Sequence, residues 1–332
     1  MKAMKFLTAL LLLSAVTLTT QARVFKIATL SPDGTSWMKM MREGASQIKQ
    51  QTEGRVVFKF YPGGVMGNDE NVLRKMRIGQ LHGGAITVGS LAAIDPDISI
   101  YGLPFLFSSL EQVDRVRAGM DEELLRGLEK KGYVSFGLAE GGFSYMMSDA
   151  PLRTVDDVRK QKVWIPSGNK VGEVVFSEAG ISPVTLPLSD VMTGLQTGLI
   201  DTVITSPIGA LALQWHTRIK YVIDVPLTYY SALLVLSEKA FKRIRPQDQK
   251  IVRQVMGEVF KKIDARNRED NIAARKALIN QGIEFVALQP EALRAWRQIG
   301  DRAMHKLEKQ NNYSKSVYDS LMKHLQMLHS AR

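Results

Sequence analysis

The sequence predicts an α/β protein built as two small lobes with interlaced segments, and three observations carry that prediction. Short β-rich runs alternate with helical stretches from position 24 onward, the pattern of strands fed by crossover helices. The cycle closes near position 147 and then starts again. The roughly 310 residues that follow position 22 exceed what one hydrophobic core usually organises.

The first twenty-two residues read separately from that pattern. Lys2 and Lys5 open a basic start, an apolar stretch covers 6–16, and Thr20-Gln21-Ala22 ends it with small residues, so 1–22 is expected to be a secretory signal peptide. The apolar run is shorter than the about 20 residues a transmembrane helix needs. The chain has no cysteine, which excludes a disulfide framework and an acylated lipoprotein cysteine. The expected compartment is the periplasm.

The elements follow in order. Residues 24–30 read as strand, 37–52 as helix, 56–61 as strand, 68–79 as helix and 84–88 as strand, an opening that favours a mostly parallel sheet with right-handed crossovers. Ser109 with Gln112 forms a capping box before a helix that Gly119 is placed to stop, and 134–140 reads as strand. The second cycle opens on a Thr154–Asp157 capping box, then strand 162–165, helix 170–179, strand 183–186, a helix capped by Ser189 and ending near Gly198, and strand 201–205. An apolar strand at 229–236 precedes a helical stretch at 247–281, far longer than the typical helix of about 11 residues and long enough to brace two lobes. Residues 283–288 return as strand, and helices follow from 290. The expected division is lobe I at 23–146 with 230–260 returning to it, lobe II at 147–229 with 270–300 returning to it, and C-terminal helices at 301–332.

A formal net charge of +11 raises nucleic acid as a partner. Basic and acidic residues interleave, however, as at Arg42-Glu43 and Glu129-Lys130-Lys131, and lack the one-sided clustering such a partner needs. Enzyme chemistry finds little to use. There is no cysteine nucleophile, no His-Glu-x-x-His, no Gly-x-Ser-x-Gly and no Walker loop. Gly63-Gly64-x-x-Gly67 lacks the lysine of a phosphate cradle and reads as a tight turn. His305, His324 and His329 fall at ordinary surface positions of the C-terminal helical region, and neither His82 nor His216 has a second histidine or a cysteine at metal-ligand spacing, so no cofactor or metal is expected.

Ligands of α/β lobes bind beyond the carboxyl ends of strands. That rule points to the loops 31–37, 62–68, 89–91, 141–145, 164–168 and 205–207. Trp37, Phe143, Tyr145, Met146, Trp164, Trp215, Tyr229 and Tyr230 crowd these loops, either as the wall of an apolar pocket or as core filling. The candidate ligand-binding residues are Trp37, Asn68, Ser90, Phe143, Tyr145, Trp164, Ser167, Thr205, Ser206, Trp215 and Tyr229.

Five phrases in order then make the chain familiar: Tyr61-Pro62-Gly63-Gly64-Val65-Met66-Gly67-Asn68-Asp69-Glu70, Leu103-Pro104-Phe105-Leu106-Phe107, Pro151-Leu152-Arg153-Thr154-Val155-Asp156-Asp157-Val158, Val184-Thr185-Leu186-Pro187-Leu188-Ser189-Asp190-Val191 and Leu195-Gln196-Thr197-Gly198-Leu199-Ile200-Asp201. Together they resemble the DctP-type extracytoplasmic receptors of tripartite ATP-independent periplasmic (TRAP) transporters, across essentially the whole chain after position 22. The resemblance implies a two-lobed periplasmic-binding-protein fold that closes on one solute, usually a carboxylate, and docks on integral-membrane transporter subunits, with no catalysis.

Two departures stand out. Where the family usually places an arginine that pairs with the solute carboxylate, this chain has Trp164 within Lys162-Val163-Trp164-Ile165-Pro166; where the family tends to supply an asparagine, it has Thr205, or Ser206 if the register slips. The resemblance therefore implies a divergent branch, associated with a helical-repeat (TPR) periplasmic partner and with apolar, aromatic or lipid-like solutes. Two rival expectations stand beside it: a carboxylate receptor that recruits Arg153, Lys162 or Lys170 instead, and a periplasmic scaffold that carries no solute.

Overall fold

The computed structural model of the chain describes residues 22–310 and 312–330. The predicted signal peptide lies outside them, apart from Ala22. No helix among the described residues is long and apolar enough to cross a membrane.

Among the described residues, ten strands form a large sheet of order β10-β8-β4-β9-β3-β1-β2, in which β10 is Glu284–Val286 and β7 also pairs with β4, and a small sheet of β5 and β6. The first half contains β1 (Arg23–Thr29), β2 (Val56–Tyr61) and β3 (Gly83–Thr87), with β1 parallel to both of the others, as the crossover pattern predicts. The parallel run stops there. Strand β4 (Tyr133–Ser148) and β9 (Thr228–Ser237) are antiparallel to each other, and β9 is antiparallel to β3, so the sheet is mixed.

Strand β4 is the structural link between the lobes. Its residues from Tyr133 to Ser144 pair with β9 in the first lobe, while Tyr145–Ser148 pair with β7 (Thr202–Thr205) and Met147–Ser148 with β8 (Tyr221–Ile223) in the second. Register shifts at Ser135/Leu138 and Glu140/Gly142 interrupt the ladder, and Gly142 adopts φ +89° between the two pairings. Such bulges bend a strand and raise its twist, which turns the second half of β4 out of the first sheet. The expected loop at 141–145 is therefore strand.

Helix Pro246–Asn280 braces this bend. Its first half buries Val252, Val255, Met256, Val259, Phe260 and Ile263 against helix Ser36–Gln51 and the first-lobe sheet. Its middle is bonded to the bend itself: Glu140 N donates to Asp264 Oδ1 (2.6 Å), and Asn271 Nδ2 donates to the Gly141 carbonyl (3.1 Å). Further on, Arg275 makes a two-pronged pair with Asp224 of the second lobe at 2.8 and 2.7 Å. One rigid rod thus holds both sheets and the strand joining them.

The cores follow the apolar spacing. Met38, Met41, Ala45 and Ile48 lie three to four residues apart and put one face of helix Ser36–Gln51 on the sheet. Ala232–Leu236 of β9 are buried on both faces, so that strand reads as a continuous apolar run instead of alternating.

Three local expectations are corrected. Helix Leu110–Lys130 runs straight through Gly119. The glycine is there for space: a Cβ on it would stand 2.2 Å from the His324 ring, where helix Lys315–Ser330 crosses. Ser109 does cap the helix by accepting from Gln112 N (3.3 Å), but Gln112 Oε1 reaches back to Ser108 N (2.8 Å), so the reciprocal box is displaced by one residue. Ser189 does not cap helix Val191–Thr197; a 3-10 turn, Leu188–Asp190, leads in, and the Ser189 hydroxyl bonds Asp190 instead. The Thr154–Asp157 box forms completely, and Gly198 ends its helix in the left-handed conformation.

Candidate functional site

A cavity of about 470 Å³ opens between the lobes, lined by loops from both sheets. Its first-lobe side is built by helix starts. Asn68 caps helix Asp69–Arg77, its Oδ1 accepting from Asn71 N (2.9 Å), and Thr87 caps the short helix Val88–Leu91, its hydroxyl oxygen accepting from Ser90 N (3.3 Å). Asp69, buried behind Asn68, accepts from Thr87 N at 3.1 Å and Thr87 Oγ1 at 2.9 Å. Burial pushes its carboxyl above the ordinary value, and the Thr87 donors pull the other way.

On the second-lobe side two tryptophans stand among the polar residues Ser167, Asn169, Lys170, Thr205 and Ser206. Trp164 at the start of β5 (Trp164–Pro166) and Trp215 are 2% and 1% exposed and meet edge to face, ring centroids 5.2 Å apart. Trp164 Nε1 donates to the Leu186 carbonyl of β6 (Val184–Leu186) at 3.0 Å, so its one polar group is spent inside the wall. Tyr229 behaves alike. Its hydroxyl, which receives Arg117 Nη1 and donates to Glu140 Oε2, both at 3.1 Å, is drawn into a buried charge network. Burial raises its pKa well above the ordinary tyrosine value. What both residues offer the cavity is carbon.

The network behind Tyr229 lies at the bend of β4. Glu140, 1% exposed, takes Arg268 Nη2 at 2.7 Å, Arg268 also pairs with Asp114, and Arg117 pairs with Asp121 and Asp264 at 3.0 and 2.9 Å. A cavity-lining ring is thus wired to the helix that spans both lobes.

Eight of the eleven sequence-predicted residues line the cavity: Asn68, Ser90, Trp164, Ser167, Thr205, Ser206, Trp215 and Tyr229. Three do not. Phe143 and Tyr145 lie on β4, where alternate side chains face opposite sides, and it is Ser144 and Met146 that line the cavity. Phe143 instead packs edge to face on Tyr229 at 6.0 Å, and Tyr145 joins the second-lobe core. Trp37 turns away because its indole N–H donates to the Ser31 hydroxyl and its ring packs on the first-lobe core. Thr205 and Ser206 both line the cavity, while Ser206 also caps the following helix by accepting from Gly209 N (3.3 Å).

The charges are sparse. Asp69, Glu70 and Lys170 are the ionisable acids and bases on the wall among the described residues besides tyrosine, and no arginine lines it. Arg153 and Lys162 are exposed elsewhere, Lys162 Nζ donating to the Gly198 carbonyl at 2.7 Å. His82 and His216 also stay outside; Lys26 N donates to His82 Nδ1 (2.9 Å), and burial, then the nearby Arg243 and Lys26, lower its pKa. No group of three His, Cys, Asp or Glu side chains among the described residues is placed to hold a metal. Sequence reasoning missed Phe105, Ser144 and Trp296 as wall residues. Strand alternation marks Ser144 once its neighbours' sides are known, but nothing local marks the other two.

The sequence pattern of DctP, bacterial extracellular solute-binding protein family 7, matches residues 27–311. The chain belongs to that family. The C4-dicarboxylate-binding periplasmic protein DctP of Rhodobacter capsulatus is 26% identical over 77% of this chain and 79% of its own length. Among solved structures, a TRAP periplasmic solute-binding protein from Desulfovibrio salexigens with bound orotic acid superposes with a TM-score of 0.84 at 19% identity, covering 92% of this chain and 99% of that one. The Bordetella pertussis receptor DctP7, binding pyroglutamic acid, gives 0.84 at 19% identity, over 92% and 100% of the two chains. This DctP-type receptor therefore has the two-lobed fold of TRAP solute-binding proteins, and its family is one of binding proteins and not of enzymes.

Proposed function

We propose that this DctP-type receptor serves a TRAP transporter by carrying a solute with an uncharged apolar or aromatic body, lipid-like molecules included, in the interlobe cavity. One observation carries the reading: at the position where the family resemblance implies a carboxylate-pairing arginine stands Trp164, buried, packed edge to face on Trp215 and with its N–H already bonded to Leu186. An ionised solute beside Trp164 and Trp215 would find no arginine, Lys170 being the one cation on the wall among the described residues, and burying an unpaired charge is expensive. Aromatic walls with few polar groups suit apolar bodies. Membrane subunits of the transporter are the natural partners of such a receptor; a helical-repeat periplasmic partner rests on the family resemblance alone.

A second reading keeps an organic acid as solute. Its support is Lys170, which lines the cavity with an exposed ammonium 3.6 Å from Glu173, together with the acids named for the relatives above. The experiment is to purify the exported protein gently, denature it, extract with organic solvent and identify what was bound by mass spectrometry. An apolar molecule in near one-to-one amount supports the first reading. A small organic acid, lost on Lys170→Ala, replaces it with the second.

A further inference from the structure

Two neighbouring tyrosines on β9 face opposite sides of the strand. Tyr229 commits its hydroxyl to Arg117 and Glu140. Tyr230 lines the cavity, is 36% exposed, and its hydroxyl has no hydrogen-bond partner among the described residues. Burial first, and then the charge of Asp69, raise its pKa, so the surface that Tyr230 keeps open is that of the cleft and not of the outer solvent. Its ring lies against Gly141 at the bend of β4, where a Cβ would stand 1.9 Å from Tyr230 Cδ1, so a glycine at 141 is what gives the ring its seat. Ala232 pairs with Thr87, the last residue of β3. Tyr230 therefore stands just past the end of β3, beside the helix start that carries Ser90 and the bond from Thr87 to Asp69.

Asn68 brings a second free group to the same side. Its Oδ1 accepts from Asn71 N and Asn71 Nδ2, at 2.9 and 2.8 Å, which fixes the amide with Nδ2 turned away from the helix it caps. That nitrogen makes no bond among the described residues. It is open to the cavity all the same, because the buried side-chain atoms without a partner are Trp296 Nε1 and the Tyr313 hydroxyl, and Asn68 Nδ2 is not with them. Asp69 and Glu70 follow directly in the chain and share the wall. Their negative charge draws the Tyr230 hydrogen toward them and leaves the phenolic lone pairs for a solute.

Resting on the apolar-solute reading, we infer that Tyr230 and Asn68 are specificity-determining residues that receive one hydroxyl group, of an alcohol or a phenol, carried on the apolar body of the solute. Asn68 Nδ2 donates to the hydroxyl oxygen, and the hydroxyl hydrogen goes to the Tyr230 oxygen. A hydroxyl suits both partners because it accepts and donates at once. A carboxylate is turned away by Asp69 and Glu70, and an ammonium has no lone pair for the Asn68 hydrogens.

The test compares 2-naphthol with 2-methylnaphthalene, probes of nearly one shape that differ in a hydroxyl for a methyl, by equilibrium dialysis near neutral pH against exported protein refolded from denaturant to free the cavity. Naphthol is expected to bind about tenfold tighter, the effect of one added hydrogen bond. Tyr230→Phe keeps the ring on Gly141, and Asn68→Ser keeps a capping oxygen. Each should cut the preference to about threefold or less while leaving the affinity for 2-methylnaphthalene within about twofold, a split that a merely structural role would not give; if one variant fails to fold, the other decides. A tenfold preference that survives the substitutions overturns the subsite, as does equal binding of the two probes by the wild type, and either result leaves the apolar-solute reading standing. Binding of neither probe overturns that reading and the subsite with it.

Discussion

Placing a guanidinium at position 164 separates the two solute classes in one variant. Trp164→Arg removes the edge-to-face contact with Trp215, ~0.5–1.5 kcal/mol, and the bond from Nε1 to the Leu186 carbonyl, ~1 kcal/mol. These losses, about 2 kcal/mol, are a floor, because an unpaired guanidinium at so buried a position costs several kcal/mol more; the melting temperature of a chain this size should fall by at least roughly 4 °C. The new cation then faces a cavity whose other charges are Asp69, Glu70 and Lys170, with no anion committed to it. An acid present at about 100 times its Kd adds about 2.7 kcal/mol, which returns about 5 °C. The assay is thermal unfolding of wild type and variant with and without succinate and pyroglutamate. The variant should recover in acid while the wild type stays unmoved. If the wild type is itself raised several degrees by either acid, Trp164 does not exclude carboxylates and the reasoning is wrong.

Three further expectations concern the frame around the cavity. Glu140→Ala takes one of Arg268's two carboxylate partners, Asp114 remaining, and removes the acceptor of the Tyr229 hydroxyl at the bend of β4, and should cost about 1–3 kcal/mol in urea unfolding; a cycle with Arg268→Ala should show coupling between the two, and additive losses would mean that the network does not act as a unit. Gly119→Ala drives a methyl into the His324 ring and should destabilise by about 1–3 kcal/mol, an effect that His324→Ala relieves. Asp157 is held below the ordinary carboxylate range by the Arg153 N–H first and then by the Thr154 hydroxyl. A depressed folded pKa contributes stability that is full above the unfolded value of about 3.9 and is lost as pH falls through the lower folded one. Asp157→Asn should therefore cost about 1 kcal/mol at neutral pH and nothing once pH has dropped below both values, as read from melting temperatures across that range.

The capping box at Thr154–Asp157 was legible because its donors and acceptors lie within four residues, so the local chain specifies it whatever packs around it. The long helix was legible for a similar reason, since its apolar spacing persists over many turns. Gly119 was misread because its role is set by His324, a residue about two hundred positions away that crosses it only after folding. On β4, alternation required that either Ser144 with Met146 or Phe143 with Tyr145 face the cavity. Large aromatic side chains made the second pair the attractive choice, and the register with β9 and β7 decided for the first.

By itself, the sequence determined what depends on near neighbours and on period: strands, helices, the Thr154–Asp157 box and the Gly198 stop, the two-lobed α/β class and the tryptophan standing at an arginine's place. Only the tertiary structure decided that Trp164 meets Trp215 edge to face with its N–H closed off, and that Tyr229 turns its hydroxyl toward Arg117. Periodicity of two or 3.6 residues tells which side chains share a face. What that face meets is fixed by packing between segments far apart in the chain, where each group's hydrogen-bond partner and solvent access are settled together.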